Sequence, residues 1–300
     1  MNGLSCFTAN IHAYMAAEWD ADAVLARSIR LTARIGLDGW PDAFSHHDPA
    51  LDLLPDGTQL AFRSNSSWQE AADQVKAEVI RHGRALILVD GARLPWSTVV
   101  GRPASAVPHL ALVDAVEPGR WHVSDEFTAL LPGGWQEPGR GWLTPDLLHP
   151  AFTAEPDLLS APAVRAAMAF GSRRKLPPPG AVWLSRTERP VAPVSEPPDG
   201  DWLQGHAAVC HHLAHGVRRA ELPRELADDL WTAAGHRVFD LTWRAREMLA
   251  PPHAEALVNA WSALPRTIHF ALESAARGRR RDDLIISAFT RLAELESEVP

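Results

Sequence analysis

Cys6 stands where a helix should begin. Ser5 is a suitable N-cap, and Phe7, Ile11, Tyr14 and Met15 recur at helical spacing. The spacing predicts a helix over 5–17 with Cys6 in its first turn. A thiol attacks as its thiolate, and the N-terminal end of a helix favours that anion. Such a nucleophile needs a base, usually a histidine, oriented by a carboxylate or an amide. With 14 histidines in the chain, histidine content alone selects none. His109 is set apart by context: it follows Pro108 and opens the apolar run His109–Val116, so its side chain belongs at the rim of a strand. Asp125 ends the returning strand. Cysteine, histidine and aspartate in this order are the parts needed for nucleophilic acyl chemistry. Without them, an early cysteine reads as a small buried hydrophobe.

The elements that must position these residues follow from pattern. Residues 21–36 read as a second helix, 37–60 as a polar loop, and 67–82 as a third helix, opened by Ser67 with Glu70 three residues on. Arg84–Asp90 is a short apolar strand closed by an Asp90-Gly91 turn. His109–Val116 and Trp121–Ser124 form a hairpin around Glu117–Arg120. Helices followed by antiparallel strands define an α+β domain over 1–150. Residues 151–200 read as a transitional linker, with a helix over 161–170, a strand over 181–184 and proline-rich stretches. Residues 201–300 read as helical, over about 203–218, 223–249, 252–276 and 280–298. The hairpin poses a parity problem. A plain two-residue turn at Pro118-Gly119 pairs Leu112 with Asp125, on the face opposite His109, because strand side chains alternate. A bulge would restore the match; a different register would instead make Asp114 or His122 the partner of His109.

A helix-borne cysteine followed by a hairpin bearing histidine and aspartate at its open end is the layout of papain-like cysteine enzymes. The chain resembles the butirosin-biosynthesis-H family, whose papain-like N-terminal domain is related to C39-type peptidases. Four segments carry the resemblance: Ser5-Cys6-Phe7-Thr8 before a helix, Arg84–Trp96 with its Val-Asp and Leu-Pro-Trp, His109–Asp125, and the helical region around Arg237–Trp261. The resemblance implies transfer of an acyl or aminoacyl group from a carrier-protein thioester to Cys6, and then to an amine acceptor in antibiotic or other natural-product biosynthesis. It implies His109 as base and Asp125 as orienter. The oxyanion would be held by the Cys6 N–H and one side-chain donor, for which Asn2, Thr8 and Asn10 are the nearby candidates. Thr8, Asp90 and Trp96 are the candidate substrate contacts, Asp90 being equally a turn residue and Trp96 a lining of the acyl cleft. The same transfer closed within one molecule would make the chain a cyclase; the alternatives are a cysteine peptidase or amidohydrolase of C39-like type, and an inactive papain-like scaffold that binds a partner.

Other features bound the reading. Net charge is −8, which disfavours a nucleic-acid surface. No apolar run is long enough for a bilayer, and Met1–Tyr14 lacks a secretory pattern, so the expectation is cytoplasmic. Cys6 and Cys210 alone do not make a disulfide framework. His206, Cys210, His211, His212 and His215 cluster on one predicted helix, but surface or interface histidines explain them more simply than a metal, and no cofactor is expected. His46-His47-Asp48 reads as solvated loop or site rim. Trp40, Trp68 and Trp121 read as core. Arg277–Arg281 reads as a solvated connection that an acidic carrier protein could also dock against. A homodimer is left open.

Overall fold

The computed structural model describes residues 3–98, 107–131, 134–154, 169–170, 177–188, 202–247 and 253–299. In chain order its elements are α1 (Cys6–Met15), α2 (Ala21–Ser28), β1 (Ile29–Ile35), β2 (Pro41–His47), β3 (Gln59–Asn65), α3 (Trp68–His82), β4 (Ala85–Asp90), β5 (Pro108–Glu117), β6 (Arg120–Asp125), β7 (Ala129–Leu131), β8 (Gly134–Gln136), β9 (Gly139–Leu143), α4 (Pro145–Phe152), β10 (Thr153–Ala154), β11 (Gly180–Thr187), β12 (Trp202–Gln204), α5 (His206–Val217), α6 (Ala227–Glu247), α7 (Ala254–Ala276) and α8 (Asp282–Ser297). The fold is α+β, and every described strand pair is antiparallel. Two compact units share the chain: Gly3–Val24 with Pro49–Glu196, and Leu25–Asp48 with Pro197–Pro300.

In the first unit β11, β4, β5, β6 and β9 lie side by side, with β3 and β10 also pairing β11. Helix α1 packs against β4 and β5. Ser5 caps it, its Oγ accepting the Thr8 N–H at 3.1 Å. Ile87, Val89, Ala111, Val113 and Val123 share one face of the sheet and join Ala71 and Val75 of α3 and Phe152 of α4 in one core.

The β5–β6 hairpin resolves the parity problem. Its turn is Pro118-Gly119, with Gly119 at φ 75°, a conformation that suits glycine. Glu117 pairs with Arg120, Val116 with Trp121 and Ala115 with His122; the next pair is Val113 with Val123, and then Leu112 with Ser124. Asp114 is therefore an extra residue, a β-bulge. Asp125 moves opposite Ala111, and so shares the face of His109.

The second unit holds the sheet β12-β1-β2 and helices α5–α8. Leu31, Ala33, Trp40 and Phe44 from 25–48 pack with Val209, Leu213, Trp261 and Phe289 from the helices. A buried ionic cluster crosses the helices. Arg237 donates from Nε to Glu296 Oε1 at 2.9 Å and from Nη2 to Oε2 at 2.7 Å, and it also meets Asp240; Trp261 Nε1 donates to Glu296 Oε1 at 2.7 Å. Removing one partner strands the other charge away from water. Glu296→Ala should therefore cost about 3–5 kcal/mol in urea unfolding, and the paired replacement Arg237→Met with Glu296→Leu should cost much less.

Several sequence expectations change. The predicted helix over 21–36 stops at Ser28, and Ile29–Ile35 is strand β1, because Ile29, Leu31, Ala33 and Ile35 alternate with Arg30, Thr32 and Arg34 at period two. The predicted loop over 37–60 contains β2 and the start of β3. Polar residues hid β2: Ser45, His46 and His47 are all buried. Residues 151–200 are more than a linker, since β11 is a strand of the main sheet. Most of the predicted helix over 161–170 lies outside the described residues, and the unit boundaries do not follow a cut at residue 150.

Candidate functional site

Cys6 is the first residue of α1, and its side chain is buried. Its amide belongs to the first helical turn, whose N–H groups have no acceptor within the helix itself. His109 sits near the start of β5, opposite Val89. The backbone is close beneath it: a Cβ on Gly91 would lie 3.0 Å from the His109 Cβ, so only glycine fits that turn without a shift. His109 Nε2 lies 2.8 Å from Asp125 Oδ1. Nδ1 is then the ring nitrogen left for Cys6. The three residues selected from sequence are brought together by α1, β5 and the end of β6. Burial pushes the His109 imidazole toward its neutral form, but the adjoining Cys6 and Asp125 outweigh it and raise its pKa to about 10. Burial likewise works against the Asp125 carboxylate, yet His109, Asn10 and the Phe127 N–H hold it below the usual carboxylate range. The pair is thus imidazolium and carboxylate at neutral pH.

Asp125 is enclosed. Oδ1 accepts from Asn10 Nδ2 at 3.1 Å and from the Phe127 N–H at 3.0 Å, and Oδ2 accepts from Trp96 Nε1 at 3.4 Å. The Phe127 ring meets His109 edge to face, with centroids 5.4 Å apart. Trp96 lies against β9 where Gly139 has no side chain. A Cβ there would fall 2.1 Å from Trp96 Cγ. Gly139→Ala should displace the indole from Asp125 and cost about 1–3 kcal/mol, the usual penalty of overpacking. The loss, read from urea midpoints, should vanish in a Trp96→Ala background if the indole is its cause.

The remaining expected residues fall into place differently. Asp90 Oδ1 accepts the N–H groups of Ala92 at 3.1 Å and Val107 at 2.9 Å, and Oδ2 accepts from Arg93 Nε at 3.2 Å. Its carboxylate ties down the turn beneath His109. The Thr8 hydroxyl is buried against Ser5 Oγ at 2.9 Å, within the helix cap. The alternative partners Asp114 and His122 bind each other, away from His109. Asn10, considered from sequence only as an oxyanion donor, instead spends its amide on Cys6, Leu110 and Asp125. A buried asparagine one helical turn after the cysteine is the signal that marks it.

Outside this site, His46 and His47 are not a solvated rim but are buried on β2 in the second unit. Cys210 is buried on α5, where burial raises its thiol pKa strongly. His206 is half-buried, edge to face with Trp261. His212 Nε2 meets the Gly39 carbonyl oxygen at 2.8 Å. Among the described residues no three His, Cys, Asp or Glu side chains are grouped to hold a metal, and no helix is long and apolar enough to cross a membrane. No protein-family model and no curated protein matches the chain.

Proposed function

We propose that the chain is a cysteine-dependent acyltransferase of papain-like type, taking an acyl group from a carrier-protein thioester and passing it to an amine. The observation that carries this reading is the Cys6–His109–Asp125 constellation: a thiol at a helix start beside an imidazole whose far nitrogen lies 2.8 Å from a buried carboxylate. A thiolate that favours the imidazolium is favoured by it in return, so neutral pH supports the ion pair. In the first step Cys6 Sγ attacks the thioester carbonyl. The oxyanion that forms faces the first turn of α1, and collapse expels the carrier thiolate, which takes the His109 proton. In the second step the amine attacks acyl-Cys6 and gives its proton to His109. Collapse then releases the amide and restores thiolate and imidazolium. Asp125 stays ionised and fixes the ring throughout.

Transfer is favoured over hydrolysis by burial. Cys6 is 0 % exposed, His109 6 % and Asp125 2 %, so an acyl-Cys6 formed here is shielded from bulk water. The exposed arginines at 277 and 279–281 offer an acidic carrier a docking charge. Intact-mass spectrometry tests the reading directly. An acyl-pantetheine thioester should add one acyl group to the wild-type chain and none to Cys6→Ala, and a small amine should discharge it as amide. Release as free acid regardless of amine would favour a cysteine hydrolase. Absence of an adduct, with Cys6 alkylated no faster than Cys210, would favour a binding scaffold.

A further inference from the structure

We propose that Asn10 is the positioning residue of this site, a single carboxamide that sets where Cys6, His109 and Asp125 stand relative to one another. The proposal rests on the acyl-transfer reading above. The Asn10 side chain is completely buried. Its Nδ2 donates to the Cys6 carbonyl at 2.9 Å, to the Leu110 carbonyl at 2.7 Å and to Asp125 Oδ1 at 3.1 Å; its Oδ1 accepts the Glu126 N–H at 3.1 Å. These contacts join the helix at the nucleophile, β5 at the residue after the base, and β6 at the carboxylate and the residue beyond it. Asn10 thus meets backbone and side-chain groups of all three elements of the site through one carboxamide.

The chemistry requires an amide. Three acceptors converge on the Nδ2 side and one donor on the Oδ1 side, so a flipped amide would set oxygen against three oxygens. Aspartate has nearly the same shape, but it cannot donate and would add a second anion beside Asp125. Alanine would take one donor from each of two carbonyls and from Asp125 Oδ1, which would keep the Phe127 N–H and His109, and would take the side-chain acceptor from the Glu126 N–H. Asn10 also gives Asp125 one of the hydrogen bonds that keep it ionised. Loss of Asn10 should therefore loosen the approach of Cys6 to His109 and weaken the charge that supports the imidazolium.

The readout is iodoacetamide alkylation of Cys6 in the full chain, followed from pH 5 to 10. In the wild type the rate should be fast and nearly flat with pH. Asn10→Ala should lower the rate at pH 7 by at least about tenfold and restore the steep rise with pH of an unassisted thiol; Asn10→Asp should be at least as impaired. A residue that only stabilised the fold would shift the urea midpoint and leave this profile alone. Folded Asn10 variants with the wild-type profile would overturn the role of Asn10 while the acyl-transfer reading stands. A wild-type Cys6 no faster than Cys210 would overturn that reading itself. Should both variants fail to fold, NMR on the wild type decides: the Asn10 side-chain amide should shift in step with the His109 titration, and an amide that ignores it overturns the proposal.

Discussion

His109→Ala should slow the proposed acyl transfer by about 10²–10⁴-fold, the range expected when a positioned general base is removed. The pH profile of Cys6 alkylation should change in the same variant. In the wild type His109 keeps its proton up to about pH 10, so the ion pair persists across the neutral range. Without the imidazole, Cys6 loses its adjoining cation, and reactivity should climb about tenfold per pH unit toward the ordinary thiol pKa of about 8.5. Asp125→Asn separates charge from orientation. It preserves the carboxylate's shape but removes one of the two groups that raise the His109 pKa, so the upper limb of the profile should move to lower pH. A His109→Ala chain that retained fast, pH-independent alkylation would rule out the pairing.

Acid should unfold this protein steeply, and the cause lies in the second unit. His47 and His236 are buried there and His206 is half-buried, and desolvation above all holds their pKa values well below the usual histidine range. The arginines nearby act in the same direction, Arg30 on His47 and Arg237 and Arg244 on His206, and a proton on one histidine of the group would disfavour a proton on the next, as His46, His47 and His206 do for His236. His46 lies 5.5 Å from His236 between ring centres, with Asp229 3.5 Å from its Nε2, and Ser28 Oγ lies 3.0 Å from His47 Nδ1. Folded, the three histidines stay neutral; unfolded, each takes a proton near pH 6.5. Their stabilising effect is therefore complete above pH 6.5 and is lost as pH falls from there toward the folded values. Each costs about 1.4 kcal/mol per pH unit in that window, so the three together cost about 4 kcal/mol per unit. Urea midpoints followed by circular dichroism should fall accordingly below pH 6, and His236→Asn should reduce the slope by about a third. A flat midpoint between pH 6.5 and 5 would refute the account. His109 has the opposite sign. Its pKa is raised on folding, so its contribution is complete below pH 6.5 and fades as pH rises toward 10.

What the sequence disclosed depended on whether the cause was local. Ser5 and the apolar spacing after it fixed the start of α1 to the residue. Ser67 did the same for α3, where its Oγ accepts the Glu70 N–H at 3.4 Å, although Glu70 turns to Asn65 Nδ2 instead of completing a capping box. His109 and Asp125 were visible as the open end of a hairpin. Nothing local marks Asp114 as a bulge, because the extra residue is decided by which side chains the core admits. Strand β2 was missed because Ser45, His46 and His47 are polar by type yet buried in fact. The grouping of 25–48 with the C-terminal helices was equally out of reach, since it depends on Leu31, Trp40 and Phe44 meeting helices more than 150 residues later. Asn10 was visible as a residue and invisible as a hub, because its partners at 110, 125 and 126 are distant in the chain.

The bulge at Asp114 makes this hairpin sensitive to arithmetic. Between His109 and Asp125 many side chains can change while both residues still face the same way. Gain or loss of one residue there, unless another irregularity absorbs it, turns Asp125 to the opposite side of the sheet and puts Ser124 or Glu126 where it stood opposite Ala111, so that His109 loses its carboxylate partner. A library of substitutions across this hairpin and a library of single-residue deletions would sample very different fractions of working proteins. The site is written partly in the identity of its residues and partly in their number.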